Sequence, residues 1–258
     1  MSYRNYGLKI SEILDPSAYI LGGVISLPKV IINPGRNWQP YFPKYEPQFN
    51  SSIDTAGCTV WGSQNCLETY LKKATGIEPN YSELFNYILA GIKPPGADPH
   101  KVLESIRKNK LIPNELLPFN ESFTSLEQLT PDLITSAMRQ EAEKWPHELK
   151  HEYVWNTKQT KDERKAKIRE YLQYSPLAVS VTAWIKQGDV YVDGGQPNTH
   201  WCELGKEVSN GWLIFDSYDH SEKVISFDHN IQICKRFYLQ KKAIKRFWLW
   251  WILQRLWR

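Results

Sequence analysis

A cysteine, a histidine and an aspartate occur in an order that could support nucleophilic catalysis. Cys58 follows a short turn, residues 54–57, and opens a segment whose apolar positions repeat with helical spacing. A cysteine at a helix N-terminus lies among backbone N–H groups at the positive end of the helix dipole, which favours the nucleophilic thiolate. The alternative interpretation is that Cys58 is a small buried apolar residue, as most free cysteines are. The sequence far downstream favours the first interpretation.

His200 and Asp216 are predicted to lie at neighbouring ends of two paired strands. His200 begins a strand after a turn-rich approach, and the strand from residue 211 ends at Asp216. A turn over residues 206–210 would join the strands and bring the carboxylate beside the imidazole, where it orients the ring. Because an activated cysteine needs an oriented base, Cys58, His200 and Asp216 are the predicted catalytic residues. The remaining histidines are predicted to be surface residues: His100, His147, His151, His220 and His229.

The elements that position these residues change type along the chain. After a strand predicted at residues 29–33, helical patterns cover most of the first two thirds: 58–76, 81–92, 99–110 with Asp98 as N-cap, two pieces within 125–145, and the charged segment 160–173. From residue 176 onward, short runs of β-branched and aromatic residues alternate with Gly, Asn and Asp, which predicts antiparallel strands. A helical half followed by a strand-rich half predicts an α+β fold with a cleft between the halves.

The order and spacing of these motifs resemble those of papain-like cysteine peptidases over residues 38–240. In that family the nucleophilic cysteine opens the central helix, a histidine follows much later, and an Asn-Ser-Trp-Gly motif ends the next strand. Cys58, His200 and the run Asp216-Ser217-Tyr218 occupy the corresponding places. The resemblance implies a helical half that carries the cysteine, packed against an antiparallel β half that carries the histidine. It also implies an oxyanion hole formed by a glutamine side chain, here Gln48, and the backbone N–H of Cys58.

The chain departs from the family pattern at three positions. Gln48 lies ten residues before Cys58, several more than is usual, so the turn between them must contain an insertion at residues 50–53. Asp216 replaces an asparagine, which should shift the pH profile of the reaction. The aromatic residue that normally follows the cysteine is absent, and Trp61 lies three positions further on. These departures are similar to those of papain-like proteins from bacteriophage and uncultured-bacterial genomes.

The resemblance implies a cysteine peptidase that hydrolyses peptide bonds through an acyl-enzyme intermediate. Its substrate would be a peptide or protein, and it would need no metal or cofactor. Cell-wall amidases, transglutaminases and acyltransferases use the same ordered triad, so these activities are alternatives. A further alternative is a catalytically silent relative that acts as a binding or structural protein.

The composition indicates a globular protein that does not bind nucleic acid. Of the 258 residues, 41% are hydrophobic and 23% charged, as in ordinary soluble domains, and the net charge is only +4. The spacing of the cysteines fits neither a zinc site nor a dense disulfide framework: Cys58, Cys66, Cys202 and Cys234. Because the sequence shows no secretory signal and no run of about 20 apolar residues, a reduced, cytoplasmic setting is predicted.

The predicted organisation has three parts. Residues 1–37 form a lead-in that is too short for an independent inhibitory pro-segment, residues 38–240 form the peptidase domain, and residues 241–258 form a basic tail. The tail holds four tryptophans and six basic residues in eighteen positions. Since tryptophan prefers membrane interfaces and Lys and Arg attract anionic lipid, the tail is predicted to bind a membrane surface or a groove on a partner protein. The alternative is a terminal helix folded back on the domain.

Overall fold

The structure is a computed structural model that describes residues 7–10, 27–155, 159–219 and 221–241. Within these ranges there are five α-helices: α1 (Cys58–Thr75), α2 (Glu83–Leu89), α3 (Pro99–Asn109), α4 (Ser136–Glu143) and α5 (Lys161–Tyr171). Short 3-10 helices cover Gln39–Tyr41, Asn114–Leu116, Leu126–Gln128 and Pro131–Leu133. The predicted tail lies outside the described residues except for Lys241, as does most of the predicted lead-in.

Local sequence signals set the bounds of the helices. Helix α1 ends at Thr75 because Gly76 adopts the left-handed conformation (φ 73°) and forms its C-cap. Helix α3 begins at Pro99, and the Asp98 carboxylate accepts hydrogen bonds from the backbone N–H of His100 at 2.9 Å and Lys101 at 3.1 Å. Both the stop at Gly76 and the cap at Asp98 were predicted from the sequence and are confirmed.

Eight strands form one sheet in the second half of the described chain. They are β1 (His147–Tyr153), β2 (Leu177–Val181), β3 (Ile185–Gln187), β4 (Val190–Val192), β5 (His200–Val208), β6 (Gly211–Asp216), β7 (Ser221–Ser226) and β8 (Cys234–Lys241). Their order is β1-β8-β2-β5-β6-β7-β4-β3, and every pairing is antiparallel except that of β4 with β7. The α+β architecture, with helices on the cysteine side and antiparallel strands on the histidine side, is therefore the predicted one.

Several elements differ from the sequence prediction: the first helical piece within residues 125–145 consists of two short 3-10 helices, and two differences concern strands. Strand β1 was not predicted, because its sequence His-Glu-Leu-Lys-His-Glu-Tyr is mostly charged; it pairs along its whole length with β8 at the edge of the sheet. The strand predicted at residues 29–33 is wrong. This segment is irregular, and the backbone N–H groups of Ile32 and Asn33 both donate to the carbonyl oxygen of Gln173, at 2.9 and 3.0 Å.

Helix α1 packs directly on strand β5. At Gly62 a Cβ atom would lie only 2.8 Å from the carbonyl oxygen of Trp201, so the helix and strand backbones touch there. The Trp201 indole N–H donates to Ser63 Oγ at 3.1 Å, and Thr69 Oγ1 donates to Glu203 Oε2 at 3.0 Å, both in buried surroundings. These contacts hold α1 against the first half of β5.

Candidate active site

Cys58 is the first residue of α1 and is fully buried. The backbone N–H of Trp201 hydrogen-bonds to its thiol, so the sulfur lies beside the residue that follows His200 in β5. The close packing of α1 on β5 at Gly62 produces this arrangement, since it places the helix N-terminus over the start of the strand.

The protonation of Cys58 is dominated by its burial. Burial raises the pKa of the thiol well above its ordinary value, and the carboxylates of Asp216 and Asp54 act in the same direction. Hydrogen bonds from the backbone of Trp201 and Thr59 oppose this rise. The expectation that the helix N-terminus would favour the thiolate is therefore wrong for the thiol as it stands. A base must remove the proton when the sulfur reacts.

His200 and Asp216 lie side by side, at the start of β5 and the end of β6. His200 Nε2 is 2.5 Å from Asp216 Oδ1, and neither side chain is exposed. Burial acts to raise the pKa of Asp216, but the charges and hydrogen bonds of His200 and Lys223 outweigh it, so the pKa lies below its ordinary value. Asp216 is therefore ionised beside the imidazole. The turn that joins the two strands is tighter than predicted and contains only residues 209–210.

Lys223 is a part of the site that the sequence analysis missed. Its Nζ lies 2.8 Å from Asp216 Oδ2 and 2.8 Å from the carbonyl oxygen of Tyr218, and its side chain is 4% exposed. The aromatic ring of Trp184 lies 5.6 Å from the His200 ring and 5.1 Å from Lys223 Nζ. A lysine in a strand ordinarily indicates the solvent face, so the sequence contained no signal for this contact.

Gln48 reaches the site through a small hairpin. Phe49 and Asp54 pair as an isolated antiparallel bridge, and the predicted insertion, residues 50–53, is the loop that this bridge closes. Within the loop, Asn50 Oδ1 accepts hydrogen bonds from the backbone N–H of Ser52 at 2.9 Å and Ile53 at 2.8 Å. The hairpin brings Gln48 beside Thr55, whose N–H donates to the Gln48 carbonyl oxygen at 3.2 Å.

The amide of Gln48 is held in one orientation. Its Oε1 accepts a hydrogen bond from Ser217 Oγ at 2.9 Å, and its Nε2 donates to Asp54 Oδ1 at 3.3 Å. Asp54 also accepts from the hydroxyl of Tyr218. Ser217 and Tyr218, the two residues that follow Asp216 in this motif, therefore both contact the cysteine side of the site.

Residues 7–9 connect the two sides of the site through backbone hydrogen bonds. The Leu8 N–H donates to the carbonyl oxygen of Thr199 at 3.4 Å, on the histidine side. On the helical side, the Lys9 N–H donates to the Ala97 carbonyl oxygen at 3.0 Å, and the Ala97 N–H donates to the Gly7 carbonyl oxygen at 2.9 Å. The Leu8 side chain is 3% exposed and belongs to the hydrophobic core.

Gly7 also approaches the segment that leads to Cys58. A Cβ atom on Gly7 would lie 2.0 Å from the carbonyl oxygen of Ala56, so only a glycine fits there. Residues 7–9 thus contact both Ala56 and Thr199, which lie two residues before Cys58 and one before His200. In this arrangement Cys58 and His200 have no exposed surface.

Two of the histidines predicted to lie at the surface are buried instead. His151 Nε2 lies 3.1 Å from Glu104 Oε1, and its Nδ1 lies 3.2 Å from Lys235 Nζ. His229 Nε2 accepts a hydrogen bond from the backbone N–H of Thr182 at 3.0 Å. The surface prediction was wrong for these two, while His220 lies outside the described residues.

The four cysteines are free thiols, and all are buried. In the described part of the chain, no group of three or more His, Cys, Asp or Glu side chains is arranged to hold a metal ion. None of the helices described above has the length and apolar character needed to cross a bilayer.

The chain was compared with known proteins. No protein-family model matches it, and no curated protein matches its sequence. Solved structures do match: xylellain, a cysteine protease from Xylella fastidiosa, is 14% identical with a TM-score of 0.54, and the match covers 94% of this chain and 97% of that one. A cysteine protease of Carica candamarcensis is 12% identical with a TM-score of 0.58, over 84% of this chain and all of that one.

A larger protein matches over part of its length. The clostridial cysteine protease Cwp84 is 14% identical with a TM-score of 0.56, over 78% of this chain and 56% of that one. This chain therefore spans little more than half of that protein's length. Together these matches show that the chain has the papain-like cysteine protease fold that residues 38–240 indicated.

Proposed function

We propose that the chain is a cysteine peptidase in which Cys58 is the nucleophile, His200 the general base and acid, and Asp216 the group that orients His200. The observation that carries the proposal is the position of residues 7–9. They lie between the residues leading to Cys58 and those leading to His200, and they are bound through their backbone.

The contacts of residues 7–9 support a peptide as the substrate. Ala97 both accepts from and donates to this segment, and Leu8 forms a parallel bridge with it. Backbone pairing of this kind is a general way to bind an extended peptide, while pockets beside the strand select side chains. The buried Leu8 side chain indicates room for an aliphatic residue. Backbone contacts of this kind fit a polypeptide better than a non-peptide acyl substrate.

The reaction follows from the arrangement of the three side chains. Because Asp216 binds His200 Nε2, Nδ1 is the ring nitrogen that exchanges a proton with the Cys58 thiol. Removal of that proton lets the sulfur attack the carbonyl carbon, and the C–N bond then breaks as His200 returns the proton to the departing amine. A water molecule, deprotonated by His200, hydrolyses the resulting thioester, which releases the acid and restores the thiol.

The oxyanion of the tetrahedral intermediate would be bound by the Cys58 backbone N–H and the Gln48 amide. The first N–H groups of a helix have no intrahelical acceptor, so the Cys58 N–H is suited to this role. Ser217 holds the Gln48 oxygen, which fixes the direction of the NH2 group. Asp54 Oδ1 accepts from the same NH2 group at 3.3 Å and so holds it in place as well.

Alkylation of the full chain with iodoacetamide, followed by mass mapping, tests this proposal. Cys66, Cys202 and Cys234 are equally buried and serve as internal controls. From about pH 5 to about pH 9, we expect Cys58 to react at least about tenfold faster than the three controls, and to lose this advantage in His200→Ala. Hydrolysis of a leucine-containing peptide, abolished in Cys58→Ser, would complete the test.

Because Cys58 has no exposed surface, the same alkylation measurements are repeated in the variant Leu8→Asp. The charged side chain removes the apolar contact that holds residues 7–9 in place, so reagents gain access to Cys58. If Cys58 in this variant reacts no faster than the other three cysteines, or if His200→Ala leaves its rate unchanged, the peptidase proposal is wrong. The chain would then be a papain-like binding protein.

A further inference from the structure

The buried ion pair of Asp216 with Lys223 has a consequence for catalysis. Lys223 lies on β7, which pairs with β6 so that Asp216 is opposite Ser221. Lys223 is two residues further along β7, on the same face of the sheet as Asp216, which is the diagonal position of a cross-strand pair. The sheet register therefore delivers its ammonium group to the carboxylate.

Both oxygens of the Asp216 carboxylate are occupied by nitrogen donors. Oδ1 lies 2.5 Å from His200 Nε2, and Oδ2 lies 2.8 Å from Lys223 Nζ. The ammonium is held on its other sides by the Tyr218 carbonyl oxygen at 2.8 Å and by the ring of Trp184 at 5.1 Å. A lysine bound at three places in a buried site has a fixed position, so its charge acts from a fixed point.

The charge of Lys223 alters what Asp216 does to the other groups. An isolated buried carboxylate would strongly stabilise a protonated His200 and oppose a thiolate at Cys58, because charges interact strongly where water is excluded. Asp216 does act on Cys58 in that direction. A positive charge 2.8 Å away makes the Asp216–Lys223 pair neutral overall. To His200, the pair then resembles the neutral asparagine that papain-like peptidases have at this position.

We propose that Lys223 is a positioning residue of the catalytic site, which holds Asp216 against His200 and cancels its charge so that a carboxylate serves where the fold otherwise uses an amide. The proposal rests on the peptidase function proposed above. Asp216 and Lys223 then act together on His200, and replacing either one alone impairs the site.

Besides His200, five titratable groups lie around Asp216. They are Cys58 on α1, Cys202 on β5, Lys223 on β7, Tyr218 after β6, whose ring lies 6.2 Å from that of His200, and Asp54, which the Tyr218 hydroxyl binds. Of these five groups, Lys223 is the one that carries a positive charge. Removing the Lys223 charge therefore leaves no cation among these five groups to compensate the Asp216 carboxylate.

The test is a double-mutant cycle of Lys223→Met, Asp216→Asn and the combined variant, read as the pH profile of Cys58 alkylation and of peptide hydrolysis. Lys223→Met leaves an uncompensated carboxylate, so we expect both profiles to move to higher pH by about one unit or more. Asp216→Asn leaves an uncompensated ammonium and should move them to lower pH. The combined variant has neither charge. We expect it to regain the wild-type profile and to react at least about tenfold faster than Lys223→Met.

Lys186→Met is the matched control, because Lys186 is an exposed lysine on β3 of the same sheet and its replacement should change neither profile. A merely structural Lys223 would give a combined variant as slow as Lys223→Met, with unmoved profiles, and that result overturns the proposal. Failure of the peptidase function gives a different result: alkylation of Cys58 in the Leu8→Asp variant would not depend on His200.

Discussion

Glu203 is a buried carboxyl group near the candidate active site, and it makes the stability of the fold depend on pH. It lies on β5, three residues after His200, and is fully buried against α1. Burial raises its pKa to about 8, and the hydrogen bond from Thr69 only partly opposes this rise. The folded protein therefore keeps a proton on this carboxyl at neutral pH.

The sign and size of the effect follow from proton linkage. In the unfolded chain Glu203 has its ordinary pKa of 4.5, so between pH 4.5 and about 8 the folded state holds a proton that the unfolded chain has released. Stability conferred by this group is complete below pH 4.5 and is lost as the pH rises toward 8. At about 1.4 kcal/mol per pH unit, the loss at pH 7 is about 3 kcal/mol.

Glu203→Gln removes this dependence while keeping an oxygen that accepts from Thr69. We expect the variant to match the wild-type chain at about pH 4 and to exceed its free energy of unfolding by about 3 kcal/mol at pH 7. Urea unfolding followed by tryptophan fluorescence at several pH values measures the difference.

Glu207→Gln is the matched control for this measurement. Glu207 lies on the same strand, its side chain is 38% exposed, and it pairs with Arg169 at the surface. Its replacement should change the free energy of unfolding by less than about 1 kcal/mol at every pH. A Glu203→Gln difference that stays constant from pH 4 to pH 7 would refute the reasoning, because it would show that the folded protein ionises Glu203 like the unfolded chain.

Three further variants probe the elements that build the site. Gly62→Ala should destabilise the fold by about 1 kcal/mol or more in urea unfolding, because its methyl group would meet the Trp201 carbonyl oxygen; a gain from the better helix propensity of alanine would contradict this contact. Leu8→Asp should speed alkylation of Cys58 by about tenfold, since a buried carboxylate expels the segment; an unchanged rate would show that residues 7–9 do not limit access. Asp98→Ala should cost about 1 kcal/mol of unfolding free energy through the lost N-cap, whereas Asp98→Asn should not; equal losses would exclude capping as the cause.

Much of the helix and strand pattern was accessible from the sequence because it depends on local chemistry. Gly76 and Asp98 set helix ends by capping, which involves only near neighbours in the chain. His200 and Asp216 could be placed side by side because a short turn joins their strands, and pairing across such a turn is decided locally. The order of the cysteine, histidine and acid motifs then indicated the papain-like fold.

Features that depend on distant contacts were decided by the tertiary structure. Strand β1 exists because β8 offers a free edge, which outweighs its charged sequence. Residues 7–9 are held between the cysteine and histidine sides of the site by hydrogen bonds to Ala97 and Thr199, which are far away in the chain.

The protonation and charge pairing of the site residues could be assigned only from the folded structure. The position of Cys58 at a helix start favoured a thiolate, whereas burial raises the thiol pKa, and nothing along the chain indicated that Lys223 lies beside Asp216. The physical reason is that desolvation and charge pairing depend on what surrounds a group in three dimensions, and pattern along the chain records only which groups are present.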